Sequence, residues 1–150
     1  MKEAYFGMGC FWKPQYIFSQ IEGVKTEAGY MGGLNSATYE EVCTGKTGHA
    51  EVVRLSYDEK KVSYADLLKI FWEKHNPTTK DRQGPDIGNQ YRSVIFYTDD
   101  NQKKLAEASK NGVEKNLRKK VVTEIRPAGV FYKAEDYHQN YFKKTGRMCS

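Results

Sequence analysis

The chain has 150 residues, 39% of them hydrophobic and 13% aromatic, and its 24 Lys and Arg outnumber 19 Asp and Glu for a net charge of +5. That length buries a core without covalent staples and points to a single domain over residues 1–150. No apolar run approaches the roughly 18–20 residues that span a bilayer, so no membrane partner is expected.

The first residues, MKEAYFGMG, carry one lysine and no extended apolar run, so they do not read as a secretory signal. A cytoplasmic, reducing setting is the expectation. EAYFGM reads as a short buried strand, followed by a helix from about Phe11 to Gln20. Pro14 fits that helix only in its first turn, where no backbone N–H is needed. A turn at Ile21–Val24 leads into a strand over Val24–Tyr30, and Gly29–Gly33 is a glycine-rich loop. In HAEVVRLSYD, Ala50, Val52 and Arg54 alternate with Val53, Leu55 and Tyr57, the period of a strand.

Ser63 is placed to cap a helix whose apolar Leu67, Leu68, Phe71 and Trp72 recur at helical spacing. Asn76–Gln90 reads as a long polar loop, and loops of that length in a compact domain are often functional. Tyr91–Tyr97 is a predicted strand, Asp99 to about Lys110 a polar helix, and Val121–Ile125 another strand. Much of the basic excess lies in Lys110–Lys120. That run includes Glu114 and has no interleaved aromatics to stack bases, so it reads as a solvated face and no nucleic-acid partner is expected. YHQNYFKK reads as a short aromatic helix or turn, and the residues from about 143 onward as a mobile tail. The order is that of an α+β fold, a mixed sheet with helices packed against it; the pattern does not say whether they cover one face or two.

Three cysteines, Cys10, Cys43 and Cys149, are an odd set without short spacing. They form neither a disulfide framework nor a zinc motif, so no metal is expected. Cys10 sits where a strand turns into a helix. Free N–H groups and the positive end of a helix dipole stabilise a thiolate there. It is either a reactive thiol or one of the small buried hydrophobes that free cysteines commonly are. Phe11 and Trp12 are correspondingly core aromatics or the wall of a substrate pocket. Cys149, penultimate in a polar segment, is either idle or a resolving thiol for a sulfenic acid on Cys10. Cys43 reads as a buried structural residue.

Glu51 sits in a strand between Ala50 and Val52. It reads as an exposed strand residue unless an aromatic site draws it inward, where it would act as an acid near neutral pH. His49 and His138 are candidate bases that nothing in the sequence favours. Tyr39 and Tyr91 can donate hydroxyls, a weak signal among eleven tyrosines.

GCFW at Gly9–Trp12, GYMGG at Gly29–Gly33 and YEEVCTGKTGHAEVV from Tyr39 together resemble the A-type peptide methionine sulfoxide reductases, which act on the S epimer of the sulfoxide. LLKIFWEKHNPT at Leu67–Thr78, RQGPDIGNQYRSVIF at Arg82–Phe96 and AEDYHQNY at Ala134–Tyr141 extend the resemblance over nearly the whole chain. It implies a ferredoxin-like two-layer sandwich wrapped by long coils. It implies Cys10 as the nucleophile on the sulfoxide sulfur, Glu51 as the acid on its oxygen, and Cys149 as the resolving thiol. Phe11 and Trp12 would hold the S-methyl group, Tyr39 and Tyr91 the oxygen, and Asp86 an ordered water. Thioredoxin or a similar dithiol would reduce the resulting disulfide, no cofactor would be needed, and a monomer is expected. Lys13-Pro14-Gln15 departs from the family, which commonly has a small residue and then Glu in this stretch. That change should alter the helix start and the pocket rim. Two C-terminal cysteines in some members are here reduced to Cys149, so a single resolver is expected, with Cys43 as the fallback. A thiol peroxidase and a module binding oxidised methionine are the rival readings.

Overall fold

The computed structural model describes residues 1–33, 38–44, 46–141 and 144. Four strands and two helices form its centre: β1 (Lys2–Met8), α1 (Trp12–Ser19), β2 (Val24–Met31), β3 (Ala50–Tyr57), α3 (Tyr64–Glu73) and β6 (Ser93–Tyr97). They run in the sheet order β6-β1-β3-β2, every pair antiparallel. This is the ferredoxin-like βαββαβ arrangement that the family resemblance implies. Two edge strands extend it: β7 (Glu124–Pro127) lies parallel to β6, and β8 (Tyr132–Lys133) pairs with β2. The parallel pair needs a crossover, which α4 (Asp100–Leu117) supplies.

The helices cover one face, which settles what periodicity left open. Ala4, Phe6 and Met8 of β1, Val53, Leu55 and Tyr57 of β3 and Ile95 of β6 meet Phe18 of α1, Leu67, Leu68, Phe71 and Trp72 of α3, and Ala106 of α4. On the other face Tyr5, Met31, Ala50, Val52, Val94 and Phe96 form a smaller cluster under the coil that carries Ala128 and Phe131. The alternation read in β3 is thus the physical division between the two layers.

Local signals explain most element ends. Ser63 accepts from the Asp66 N–H while the Ser63 N–H donates to the Asp66 carboxylate, a complete capping box on α3. Asp99 caps α4 through the Gln102 N–H. Pro14 is the third residue of α1, inside the first turn as its missing N–H requires.

The departures from the sequence expectation have physical causes. α4 runs through Leu117, well past Lys110, because its solvated face needs no apolar period. β7 begins at Glu124, not Val121; Val121 and Thr123 are buried in the approach to the strand. The long polar loop contains a two-stranded hairpin, β4 (Arg82–Gln83) with β5 (Asp86–Ile87), followed by a 3-10 turn at Asn89–Tyr91. A short helix, α2 (Tyr39–Cys43), was absent from the expectation; the Thr38 hydroxyl caps it by accepting from the Glu41 N–H. YHQNYFKK supplies a 3-10 turn at Asp136–His138. The tail expected from about 143, Lys144 apart, lies outside the described residues.

Candidate active site

The site forms where the β1–α1 turn crosses the end of β3. Gly9 holds φ +92°, and a β-carbon there would lie 2.8 Å from the Gln83 side chain. Only glycine makes this turn at low cost, and it delivers Cys10 to the N-terminal end of α1. Cys10, Trp12 and Tyr39 pack on a cluster of Phe11, Ala28, Tyr30, Val42 and Ala134. Cys10 is disulfide-bonded in this structure.

Glu51 is the main correction. The expected exposed strand residue is 1% exposed. Its parity with Val53, Leu55 and Tyr57 puts it on the helix-covered face, and its cross-strand partner on β2 is Tyr30. The Phe11 N–H donates to Glu51 Oε1 at 3.3 Å, tying the carboxyl to the residue beside Cys10. Its Oε2 is buried without a hydrogen-bond partner among the described residues. Burial pushes the Glu51 pKa up to about 8; the Phe11 hydrogen bond opposes this, and the nearby Asp86 charge adds to it. The group is therefore a neutral acid at pH 7, held beside the cysteine with one oxygen uncommitted.

Two phenols on separate elements lie within electrostatic reach of this carboxyl. Burial raises the Tyr39 phenol well above its ordinary range, with Cys43, Glu51 and Tyr91 contributing further. Tyr91 is pushed up to about 12 by burial and by the Glu51, Cys43 and Asp86 charges. Both remain neutral donors at any working pH. Asp86, on β5, reaches the same site through its field on Glu51 and Tyr91. A cavity of about 270 Å³ opens beside Cys10 and Asp86 and is walled by Met8, Asn76 and Gln83.

The two aromatics behave differently. Phe11 is fully buried between Tyr30 and His138, with ring centroids 5.5 and 5.2 Å away. Trp12 is partly exposed, and Tyr141 stacks on it at 3.7 Å with 15° between planes. The C-terminal segment thus covers the indole in this disulfide state.

Cys43 does not match the sequence expectation. The predicted buried structural cysteine is an exposed free thiol. It lies one turn beyond Tyr39 on α2 and bonds its hydroxyl. Partial desolvation raises this thiol, and Glu51 and Glu135 add to the shift against the Tyr39 bond. The valine that precedes it, Val42, takes the buried position instead.

Glu135 went unread in the sequence, and His138 and Gln15 turn out to position other groups, a role the sequence did not assign them. Glu135 accepts from the Tyr30 hydroxyl at 3.2 Å and the Tyr39 N–H at 3.1 Å, bracing α2 against β2. His138 Nδ1 accepts from the Trp12 indole N–H at 3.0 Å. Burial lowers the pKa of His138, so the ring stays neutral and can accept. Gln15, 1% exposed, accepts from the Asn140 N–H at 2.8 Å and donates to Gln139. Glu135 and His138 lie in a quoted motif and Gln15 in the stretch that departs from the family, but their pairings cross 96 to 126 residues and no local period marks them. His49, the other candidate base, is instead structural: its Nδ1 accepts from the Gly33 N–H at 3.0 Å and orders the glycine-rich loop. Among the described residues no group of three or more His, Cys, Asp or Glu could hold a metal ion, and no helix is long and apolar enough to cross a membrane.

A disulfide-bonded cysteine at a helix N-terminus, with a neutral buried acid tied to the next residue, is an arrangement suited to redox chemistry at sulfur. The comparisons make the class specific. Residues 2–150 match the family model for peptide methionine sulfoxide reductase, and the chain belongs to that family. It is 53% identical over 150 residues to peptide methionine sulfoxide reductase MsrA of Methanothermobacter thermautotrophicus, covering 97% of this chain and 89% of that one. The MsrA of Methanosarcina mazei is 56% identical, covering 97% and 71%. The fold superposes on reduced Mxr1 of Saccharomyces cerevisiae with a TM-score of 0.95 at 33% identity, covering 99% of this chain and 88% of that structure.

Proposed function

We propose that the chain reduces the S epimer of methionine sulfoxide, in proteins and as the free amino acid, with Cys10 as nucleophile and Glu51 as acid. The observation that carries this reading is the Glu51 carboxyl, neutral at pH 7, bound through Oε1 to the N–H that follows Cys10. A sulfoxide sulfur is a poor electrophile until its oxygen is protonated, so a proton must be in place when the thiolate attacks. A Glu pKa near the working pH suits that task. Tyr39 and Tyr91, neutral donors, hold the oxygen, and Asp86 orders water at the mouth. Trp12, on which Tyr141 stacks in the disulfide state, forms the wall for the S-methyl group, and buried Phe11 backs it.

In chemical terms, the Cys10 thiolate adds to the sulfur of the protonated sulfoxide; the hydroxyl then passes to the Cys10 sulfur as the substrate S–O bond and the new Cys10–sulfur bond break, leaving a sulfenic acid on Cys10 and methionine as product. Glu51 supplies the proton. We assign Cys149, which lies outside the described residues, as the thiol that displaces water from the sulfenic acid to form a disulfide. Cys10 being disulfide-bonded and Cys43 a free thiol supports this choice over Cys43. A dithiol of the thioredoxin type would then reduce the disulfide; the yeast relative Mxr1 has been solved in complex with Trx2. The setting would be cytoplasmic and the working unit a monomer.

Separated sulfoxide epimers of a blocked methionine, with dithiothreitol as reductant, test the reading. Turnover of the S epimer alone is expected. No turnover of either would sink the reductase, and turnover of the R epimer alone would refute the stereochemistry. With thioredoxin, Cys149→Ser should stall after about one turnover with a trappable sulfenic acid, while Cys43→Ser continues to cycle. The opposite pattern would make Cys43 the resolver.

A further inference from the structure

Lys13, at the family-divergent stretch, stands at the second position of α1, three residues past Cys10. A cation there opposes the helix dipole. No ion pair among the described residues compensates it, and the same holds for Lys74 and Lys119, both exposed. The cavity beside Cys10 has Lys13 and Lys74 in its wall. A second, open cavity of about 850 Å³ shares Lys13, Lys74 and Asn76 with it and runs on past Thr78 to Lys119. The two cavities share this wall and lie side by side, and together we treat them as a groove leading away from Cys10. Three lysines face it, and the carboxylates in its wall are Asp86 at the Cys10 end and Glu73. Asn76 and Gln83 brace the floor: the Asn76 N–H donates to Gln83 Oε1 at 2.9 Å, and the Gln83 amide returns a hydrogen bond to the Asn76 carbonyl.

We infer that this groove is a subsite for the substrate polypeptide, and that Lys13 and Lys74 select sulfoxides flanked by acidic side chains. The inference rests on the reductase reading above and adds a substrate class to it. An extended peptide advances about 3.3 Å per residue, so the residues next to the sulfoxide pass the two lysines and those beyond reach Lys119. Acidic flanks meet unpaired ammonium groups there, and basic flanks meet repulsion. Selectivity comes from both terms.

The test compares two blocked tripeptides, each with the central S-sulfoxide, one flanked by Glu on both sides and one by Lys, with dithiothreitol as reductant so that no protein partner intervenes. At low ionic strength the wild type should favour the acidic peptide by about fivefold in kcat/KM, mostly through KM, the scale of one or two partly exposed ion pairs. At 1 M salt, where the Debye length is about 3 Å, the ratio should fall toward one. A Lys13→Glu, Lys74→Glu double variant should invert the ratio, and Lys13→Arg should keep it. Both lysines are exposed, and the salt series on the wild type decides the same question should a variant fold poorly. Equal rates on the two peptides, a salt-independent ratio, or an unchanged ratio in the double variant would each overturn the subsite. A raised KM for thioredoxin in the double variant with no change in the peptide ratio would also overturn it and give the lysines to the reductant. Failure to reduce either peptide is the distinct result that defeats the reductase reading itself.

Discussion

His75 and Glu51 are both ionisable side chains that their surroundings hold neutral, and they illustrate two uses of burial. Desolvation pushes His75 down to about 4, against the hydrogen bond with Phe71. Its Nδ1 lies 2.5 Å from the Phe71 carbonyl and its Nε2 2.7 Å from Ser93 Oγ, which contacts Thr123 Oγ1 at 2.7 Å. The Phe71 carbonyl can only accept, so Nδ1 carries the proton and Nε2 accepts from Ser93. Every polar atom of that chain is engaged, so the network fastens α3 to β6 and has nothing left to offer a substrate. Glu51 is equally neutral, but its Oε2 has no partner among the described residues. An unsatisfied buried group costs about 1–3 kcal/mol, and the same open valence is what a sulfoxide oxygen would occupy. A group with every polar atom engaged serves architecture, whereas one with an atom left over is available for chemistry.

The sharpest way to break this contrast is Glu51→Gln. An amide of the same shape cannot deliver a proton, so kcat should fall by about 10²–10⁴, while Cys10, once reduced, still reacts with an alkylating agent. Survival of activity would remove Glu51 from the mechanism. The wild-type rate should decline about tenfold per pH unit above 8, where the carboxyl ionises, and the variant should lack that limb.

Stability carries the same signature. Glu51 has a folded pKa raised from 4.5 to about 8. Its contribution is therefore complete below pH 4.5 and is lost as pH rises to 8, for a total on the order of 5 kcal/mol. Urea unfolding at pH 5 and pH 9 should show that decline in the wild type and a flatter profile in Glu51→Gln. An identical pH dependence in both would mean that the carboxyl is not held neutral.

Between the two aromatics the expectation divides. Phe11→Ala empties a fully buried position and should cost about 3–5 kcal/mol. Trp12→Ala should cost less stability and appear mainly as a raised KM. The reverse ranking would make Trp12 the structural member.

At the architectural end, Ser93→Ala leaves His75 Nε2 without its donor and should cost about 1–3 kcal/mol. The alkaline limb near pH 8 should stay in place, and a displaced limb would show that the two networks communicate. The smallest effect is expected from Gln15→Leu, about 1 kcal/mol, with faster hydrogen exchange at Asn140, whose N–H loses its acceptor.

Much of this was legible beforehand because it rests on local rules. Ser63 and Asp66 sit three apart, Leu67, Leu68 and Phe71 at helical spacing, and Pro14 where a helix tolerates it. Glu51 was legible in principle: its parity with Val53 and Leu55 assigned it to the buried face, and the charge on the residue argued the other way. Cys43 failed for the complementary reason. Following a valine in a five-residue helix, it was read as core, but one face of so short a helix points out, and Val42 took the inner position. α2 itself and the β4–β5 hairpin are too short to carry a period.

The sequence by itself determined most of the longer elements, the α+β class, and through its ordered motifs the family, whose resemblance implied the two layers. Each of these follows from contacts between residues near in the chain or from strings that survive as strings. Only the tertiary structure decided which groups meet: the Phe11 N–H on Glu51 across 40 residues, Trp12 on His138 across 126, and the Gln15 clamp on Asn140 across 125. It also turned Lys13-Pro14-Gln15 from an irregularity into a division of labour, with proline starting the helix, glutamine fastening the C-terminal segment and lysine facing the groove. The reason is physical. A charge state depends on desolvation and on the nearest partner, and both are properties of the packed interior, not of the neighbouring letters.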